Sequence, residues 1–143
     1  MIDEKMIVEK IRRIQKELLN LERFEGFTLD EVAKNYDTHT IVERIIERIV
    51  GFAIDINQHI LVEGGKGDLP FDFKKSFLFL ADLDIYPKEF AESISESAGL
   101  RNILVHDYAK LDEEKFYNSI KNCNQDYTKY CRYILDFLKK KSS

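Results

Sequence analysis

DTHTIVERIIERIVGFAIDINQHILV, residues 37–62, decides the fold. Val42, Ile45, Ile46, Ile49, Phe52, Ala53, Ile56 and Ile60 recur at the spacing of one helix face, and the stretch reads as a long helix from about Asp37 to Val62. Gly64, Gly65 and Gly67 stop it. On the N-terminal side, Ile7, Ile11, Ile14, Leu18 and Leu21 repeat the pattern in an earlier helix that ends at Gly26. Thr28 with Glu31 three residues later is a capping-box signature and opens a short helical turn. On the C-terminal side, Phe71, Phe73, Phe77, Leu78 and Leu80 predict a short third helix ending near Leu83. Pro87 suits the first turn of a fourth, which runs through Phe90 and Ile94 into the 99–108 region. Asp112 caps a fifth, with Leu111 and Phe116 as a hydrophobic staple and Glu113 and Glu114 in its first turn. Its seam is Phe116, Ile120, Cys123, Tyr127, Tyr130, Ile134 and Phe137, and the tail KKKSS is expected to fray. No stretch alternates with period two. The expectation is an all-α antiparallel bundle of four to five helices in one domain, residues 1–143.

Composition sets the outer limits. At 143 residues, with 44% hydrophobic and 34% charged side chains, the chain can bury a core of its own and is neither disordered nor membrane-spanning. No apolar run approaches the roughly 18–20 residues that a bilayer crossing needs. The start, MIDEKMIVEK, carries acids and lacks an apolar signal core. A cytoplasmic protein with no membrane partner is expected by default. Lys plus Arg number 22 and Asp plus Glu 26, a net charge of −4 that argues against wrapping duplex DNA but leaves room for a local nucleic-acid site. Cys123 and Cys131 lie eight apart in a helical pattern, about 12 Å along the axis, too far for a mutual disulfide. They read as small buried apolar residues.

Most routes to chemistry lack support. EGGKGDLP, residues 63–70, has neither the spacing of a phosphate loop nor a strand before it. His39, His59 and His106 are scattered, with no HExxH and no paired Cys-x-x-Cys, so neither metal nor cofactor is expected. Asp55 and His59, at i,i+4, are expected to form a hydrogen-bonded pair. The informative segment is GLRNILVHDY, residues 99–108. As a continuous helix it puts Leu100, Ile103 and Leu104 on the core side. Arg101, Asn102, His106 and Tyr108 then fall on the other, with Arg101 and Tyr108 nearly eclipsed at i,i+7. Ala98 and Gly99 project to the same polar side and leave it open, while Asp107 reads as a helix-end hydrogen bonder. Arg101 and His106 are about 140° apart on an ideal helix. A break near the helix end together with a two-fold interface is expected to aim them at one phosphate.

This segment resembles the R-x4-6-H signature of HEPN-domain ribonucleases, in the R-x4-H-x-Y form of the HepT toxins. Arg101, His106 and Tyr108 match the three named positions, and Asn102 matches the polar residue usual after the Arg. The likeness extends to the length, the helix order, IDINQHI in the long helix, and the Gly/Pro turn before FDFKKSFLFLADL. It implies a HEPN-like dimeric bundle and a metal-independent endoribonuclease toxin, with Arg101 and His106 catalytic and Asn102 and Tyr108 binding or orienting RNA. An imidazole can move protons near neutrality, and an arginine fork can hold phosphate oxygens as charge builds. The resemblance also implies a homodimer bringing two copies of each residue to a shared cleft, and a minimal nucleotidyltransferase antitoxin of the MntA type. That antitoxin would attach AMP to the Tyr108 hydroxyl, expected to lie beside Arg101. The alternative is a HEPN bundle serving as a non-catalytic module that binds a nucleotide or a nucleotidyltransferase.

Overall fold

The computed structural model describes residues 1–64 and 72–142, and of Ser142 only the backbone. Gly65, Gly67 and Phe71 lie outside the described residues. Among those described there are six α-helices and no strand: α1 (Glu4–Glu22), α2 (Leu29–Lys34), α3 (Tyr36–Glu63), α4 (Phe73–Asp82), α5 (Lys88–His106) and α6 (Glu113–Ser142). A single 3-10 turn, Tyr108–Lys110, joins α5 to α6. Five of the six are the expected helices, and α2 is the short capped turn.

The residues that form these helices are those the periodicity marks. Ile7, Ile11, Ile14, Leu18 and Leu21 are all buried on α1. Thr28 accepts from the Glu31 backbone N–H while the Glu31 side chain accepts from the Thr28 N–H, so both partners of the box are present. The Asp112 carboxylate accepts from the N–H groups of Glu114 and Lys115 and opens α6. α1 ends at Glu22, four residues before Gly26, which follows a run of turns. α6 runs helically through Lys139, Lys140 and Lys141 where fraying was expected. Three cations in its last turn suit the negative end of the helix dipole. Along its seam Leu138 is buried, whereas Phe137 is only half-buried.

Cross-links between helices give the topology. Asp3 meets His59, Lys10 meets Asp55 and Glu17 meets Arg48, so α1 and α3 run antiparallel. Ser93 bonds Asp126 and Phe90 packs on Tyr133, so α5 and α6 are antiparallel too. His39 reaches Glu113 while Asn57 reaches Tyr130, so α3 and α6 run the same way. α1 and α5 each pack against both α3 and α6 but not against each other. The four long helices therefore form a square in which neighbours are antiparallel. α4 covers α5 and α3 on one side, and α2 packs against α3 and α6. No helix among the described residues is long and apolar enough to cross a membrane.

Candidate active site

α5 carries the residues singled out in the sequence, and where it stops governs their arrangement. The helix ends at His106; Asp107, at φ −148° and ψ 47°, leaves the helical region while its N–H still donates to the Ile103 carbonyl at 3.0 Å. The chain then turns, with the Lys110 N–H donating to the Asp107 carbonyl and the Lys110 ammonium 3.2 Å from the Asp107 carboxylate. Asp107 is thus a helix-end hydrogen bonder, as expected. Tyr108 lies on the turn, so its i,i+7 relation to Arg101 does not hold. His106, exposed at the last helical position, makes no hydrogen bond or ion pair with a described residue. Asn102 is half-buried on the same helix.

Tyr108 is held by the other end of the bundle. Its hydroxyl donates to Glu43 Oε1 on α3 and lies 3.4 Å from His39 Nδ1. His39 is itself buried, gripped between Glu43 at Nδ1 and Glu113 at Nε2, the latter 3.0 Å away, and stacked on Phe116 at 4.5 Å. Half of the Tyr108 surface remains exposed, at 50%. Burial of the rest, the hydrogen bond to Glu43 and the charges of Glu43, Glu113 and Tyr36 push the phenol above the ordinary tyrosine range, so it stays protonated.

Arg101 sits in different surroundings. Its guanidinium carbon lies 5.5 Å from the centre of the Phe73 ring, a cation–π contact with the first residue of α4. The guanidinium Nε is buried with no hydrogen-bond partner, and no carboxylate among the described residues pairs with this arginine. Around it opens a cavity of about 500 Å³ across the outer face of α3, lined by Arg13, Arg44, Glu47, Arg48, Phe52, Asp55, Phe73, Arg101 and Val105 among others. An unpartnered guanidinium on an aromatic floor can take an oxyanion by two parallel N–H bonds.

The profile of the family described as HepT-like ribonucleases matches residues 7–134. The chain belongs to that family. It is 35% identical to the tRNA nuclease HepT of Aphanizomenon flos-aquae, over 94% of this chain and 92% of that one. Identity to the mRNA nuclease HepT of Shewanella oneidensis is 23%, over 87% and 92% of the two chains. Among solved structures, the fold is similar to the tri-AMPylated HEPN toxin of Shewanella oneidensis in complex with MNT antitoxin, with a TM-score of 0.81 and 22% identity, covering 95% of this chain and 99% of that one. As a HepT-like ribonuclease, the chain is an RNA-cleaving enzyme with an all-α fold.

Within one HepT-like chain no hydrogen bond, ion pair or ring contact joins Arg101, Asn102, His106 and Tyr108 to one another. Arg101 lines the cavity, His106 is the last residue of α5, and the Tyr108 hydroxyl is taken up by Glu43 and His39. Ala98 faces the core and is fully buried, so it does not hold the polar side open. Gly99 does stand at a groove, on the other side of α5, where an added Cβ would meet only Lys74 at 3.8 Å. Asp55 and His59 do not pair. Asp55 accepts from Lys10 at 3.1 Å and His59 Nε2 accepts from the Asp3 N–H at 2.9 Å, because α1 offers each a nearer partner. Both cysteines are buried and free, as expected, and burial pushes their thiols up to about 12. Sequence reasoning missed His39, Glu43 and Glu113 around Tyr108, and Arg13, Arg44 and Arg48 around Arg101. The i,i+4 spacing of His39 with Glu43, and of Arg44 with Arg48, was the available local signal.

Proposed function

We propose that the chain is a metal-independent endoribonuclease toxin that acts as a homodimer through Arg101 and His106 and is silenced when a nucleotidyltransferase antitoxin AMPylates Tyr108. One observation carries this reading: Arg101 and His106, about one and a half turns apart on α5, are neither hydrogen-bonded nor ion-paired to a described residue of their own chain. Asn102 lies between them. A second copy related by two-fold symmetry supplies what one chain lacks, a second imidazole and a second guanidinium.

In the reaction, one His106 removes the proton of the ribose 2′-OH, whose oxygen attacks the adjacent phosphorus. The bond to the 5′ oxygen breaks, and the other His106, protonated, supplies the proton that oxygen needs. A 2′,3′-cyclic phosphate and a free 5′-OH result, with no net proton change. Arg101 holds two non-bridging oxygens as negative charge builds on phosphorus. The tRNA nuclease activity of the 35% identical relative makes tRNA the substrate to test first. The AMPylated state of the similar Shewanella toxin, in complex with its antitoxin, supports the modification. Tyr108 suits it: half-exposed, on a turn, and two residues from His106, so that an added adenylate brings bulk and negative charge to the mouth of the site.

The experiment is cleavage of tRNA by the purified chain with and without EDTA. Cleavage should persist in chelator and vanish in Arg101→Ala and in His106→Ala; survival in both variants, or loss on chelation, refutes the mechanism. Co-expression with a partner nucleotidyltransferase, followed by intact mass, should show added AMP in the wild type and none in Tyr108→Phe. AMP mapped to Tyr117 or Tyr127 would refute the assignment.

A further inference from the structure

The cavity around Arg101 extends well beyond the residues that the cleavage step needs. It crosses the outer face of α3 to Arg13 on α1, taking in Arg44 and Arg48, and an adjoining groove shares those three arginines and adds Arg12 and Lys16. Six cations thus line one continuous surface in a chain whose net charge is −4. The carboxylates along it are Glu9, Glu17, Glu47 and Asp55. The groove on the other side of α5 differs: Lys74, Lys110 and Lys115 are there matched by Glu96, Asp112 and Asp126.

Three of the arginines are held in place without being used up. Arg13 reaches Glu9 at 3.1 Å through one terminal nitrogen, Arg48 reaches Glu17 at 3.1 Å through Nε, and Arg44 stands 3.7 Å from Glu47. Each fork keeps donors that no described residue accepts from. The guanidinium of each pair is the more open partner for Arg44 and Arg48, and the exposed Arg13–Glu9 pair is worth at most about 1 kcal/mol, so the carboxylates orient the forks and leave donors for phosphate. Lys10, Arg13 and Arg48 all stand about 6 Å from the Phe52 ring, an apolar surface ringed by cations in the same cavity. Between them the floor is open: a Cβ added at Gly51 would meet nothing within 4 Å.

We infer that this groove is the substrate track: Arg44, Arg48 and Arg13 take the phosphates of single-stranded RNA flanking the one held at Arg101, with Phe52 offering a stacking face to a base. Cations tracking a backbone, interleaved with aromatic rings, are what single-strand binding requires. The inference rests on the nuclease reading for what happens at Arg101, but not for whether the groove binds RNA.

The test is fluorescence anisotropy of a 12-nucleotide single-stranded RNA on the full-length His106→Ala chain, which binds without cutting, across a KCl series. Arg44→Gln and Arg48→Gln should each lower the slope of log affinity against log salt by about 0.7, the loss of one phosphate contact. Gly51→Glu, which adds a helix-favouring side chain and a negative charge where there is room, should weaken binding by about tenfold at low salt with the helical circular dichroism unchanged. In the cutting chain, Arg44→Gln should raise KM more than it lowers kcat. Unchanged affinity and slope in all three variants overturns the inference. So does a shift of the monomer–dimer equilibrium by the same substitutions with RNA affinity intact, which would make the groove an interface between copies. A chain that binds through the groove yet cuts no RNA would refute the nuclease reading and leave this one standing.

Discussion

Two tyrosines reach α3 from α6 and from the turn before it, and their surroundings differ at every point. Tyr130 is fully buried; its hydroxyl lies 3.2 Å from the Ala53 carbonyl and donates to Asn57 Oδ1 at 2.5 Å. Asn57, also fully buried, donates from Nδ2 to Ser76 at 3.1 Å, and Ser76 donates to the Phe73 carbonyl at 2.7 Å. Each polar group there exchanges a water for a fixed neighbour, and none of the three side chains can leave without stranding another group. Tyr108 also bonds to α3, but through ionisable partners, with half of its surface in solvent. The sealed network fixes how α3, α4 and α6 pack. The open one fixes where a hydroxyl stands. Similar chemistry seals the packing at one end of α3 and holds a half-exposed hydroxyl at the other.

The comparison breaks most sharply if the open end proves to be structural. His106→Ala should cut RNA cleavage by about 10²–10⁴, the usual worth of a general acid or base, and move the melting midpoint by no more than an exposed substitution does, about 0.5 kcal/mol. Arg101→Ala should cost activity on a similar scale and somewhat more stability, about 1 kcal/mol, because the Phe73 contact goes with it. Cleavage assays beside thermal melts decide both.

On the sealed side, burial pushes the Cys123 and Cys131 thiols up to about 12. A thiol reagent at pH 8 should therefore react about 10³ times more slowly with the folded than with the urea-unfolded chain, since only thiolate attacks. The sign for stability follows. With folded values above the unfolded one of about 8.5, the two thiols favour the fold fully below that pH, and the contribution drains away as pH rises towards 12. A denaturation midpoint that climbed with pH in this range would contradict it.

Asn57→Leu sharpens the contrast further. It leaves the Tyr130 hydroxyl short of a partner in the core and should destabilise by about 2–3 kcal/mol, read from urea midpoints, while cleavage below the transition persists. Tyr108→Phe is the smallest change expected among the hydrogen-bonded networks, within about 0.5–1 kcal/mol, because water can take the place of the lost hydroxyl at a half-exposed site. A larger loss would make the open network a second structural one.

Much of this could be read from the residues. Helix faces, the Thr28–Glu31 box and the Asp112 cap are local, decided within a few positions, and the structure keeps them. Arg101 and His106 were legible as a spaced pair on a helix. A break near the end of that helix was expected, but not its position, because no glycine or proline lies between Leu100 and Leu111 to mark it, and a helix continued to residue 108 makes Tyr108 read as Arg101's neighbour. His39 stayed hidden for a different reason: one of its two carboxylates is 74 residues away, beyond any local pattern. Asp55 and His59 misled because spacing on one helix says nothing about the competing partners that α1 brings.

Phe73, the floor beneath Arg101, is the first residue of α4, and Asp72 secures that start by accepting the Lys74 N–H at 2.9 Å. The pose of the guanidinium is therefore tied to a boundary 28 positions upstream in the chain. Whatever the length of the connection between α3 and α4, the site needs Asp72 and Phe73 at the mouth of α4. A change that moves the start of α4 by one residue rotates the ring away by about 100°.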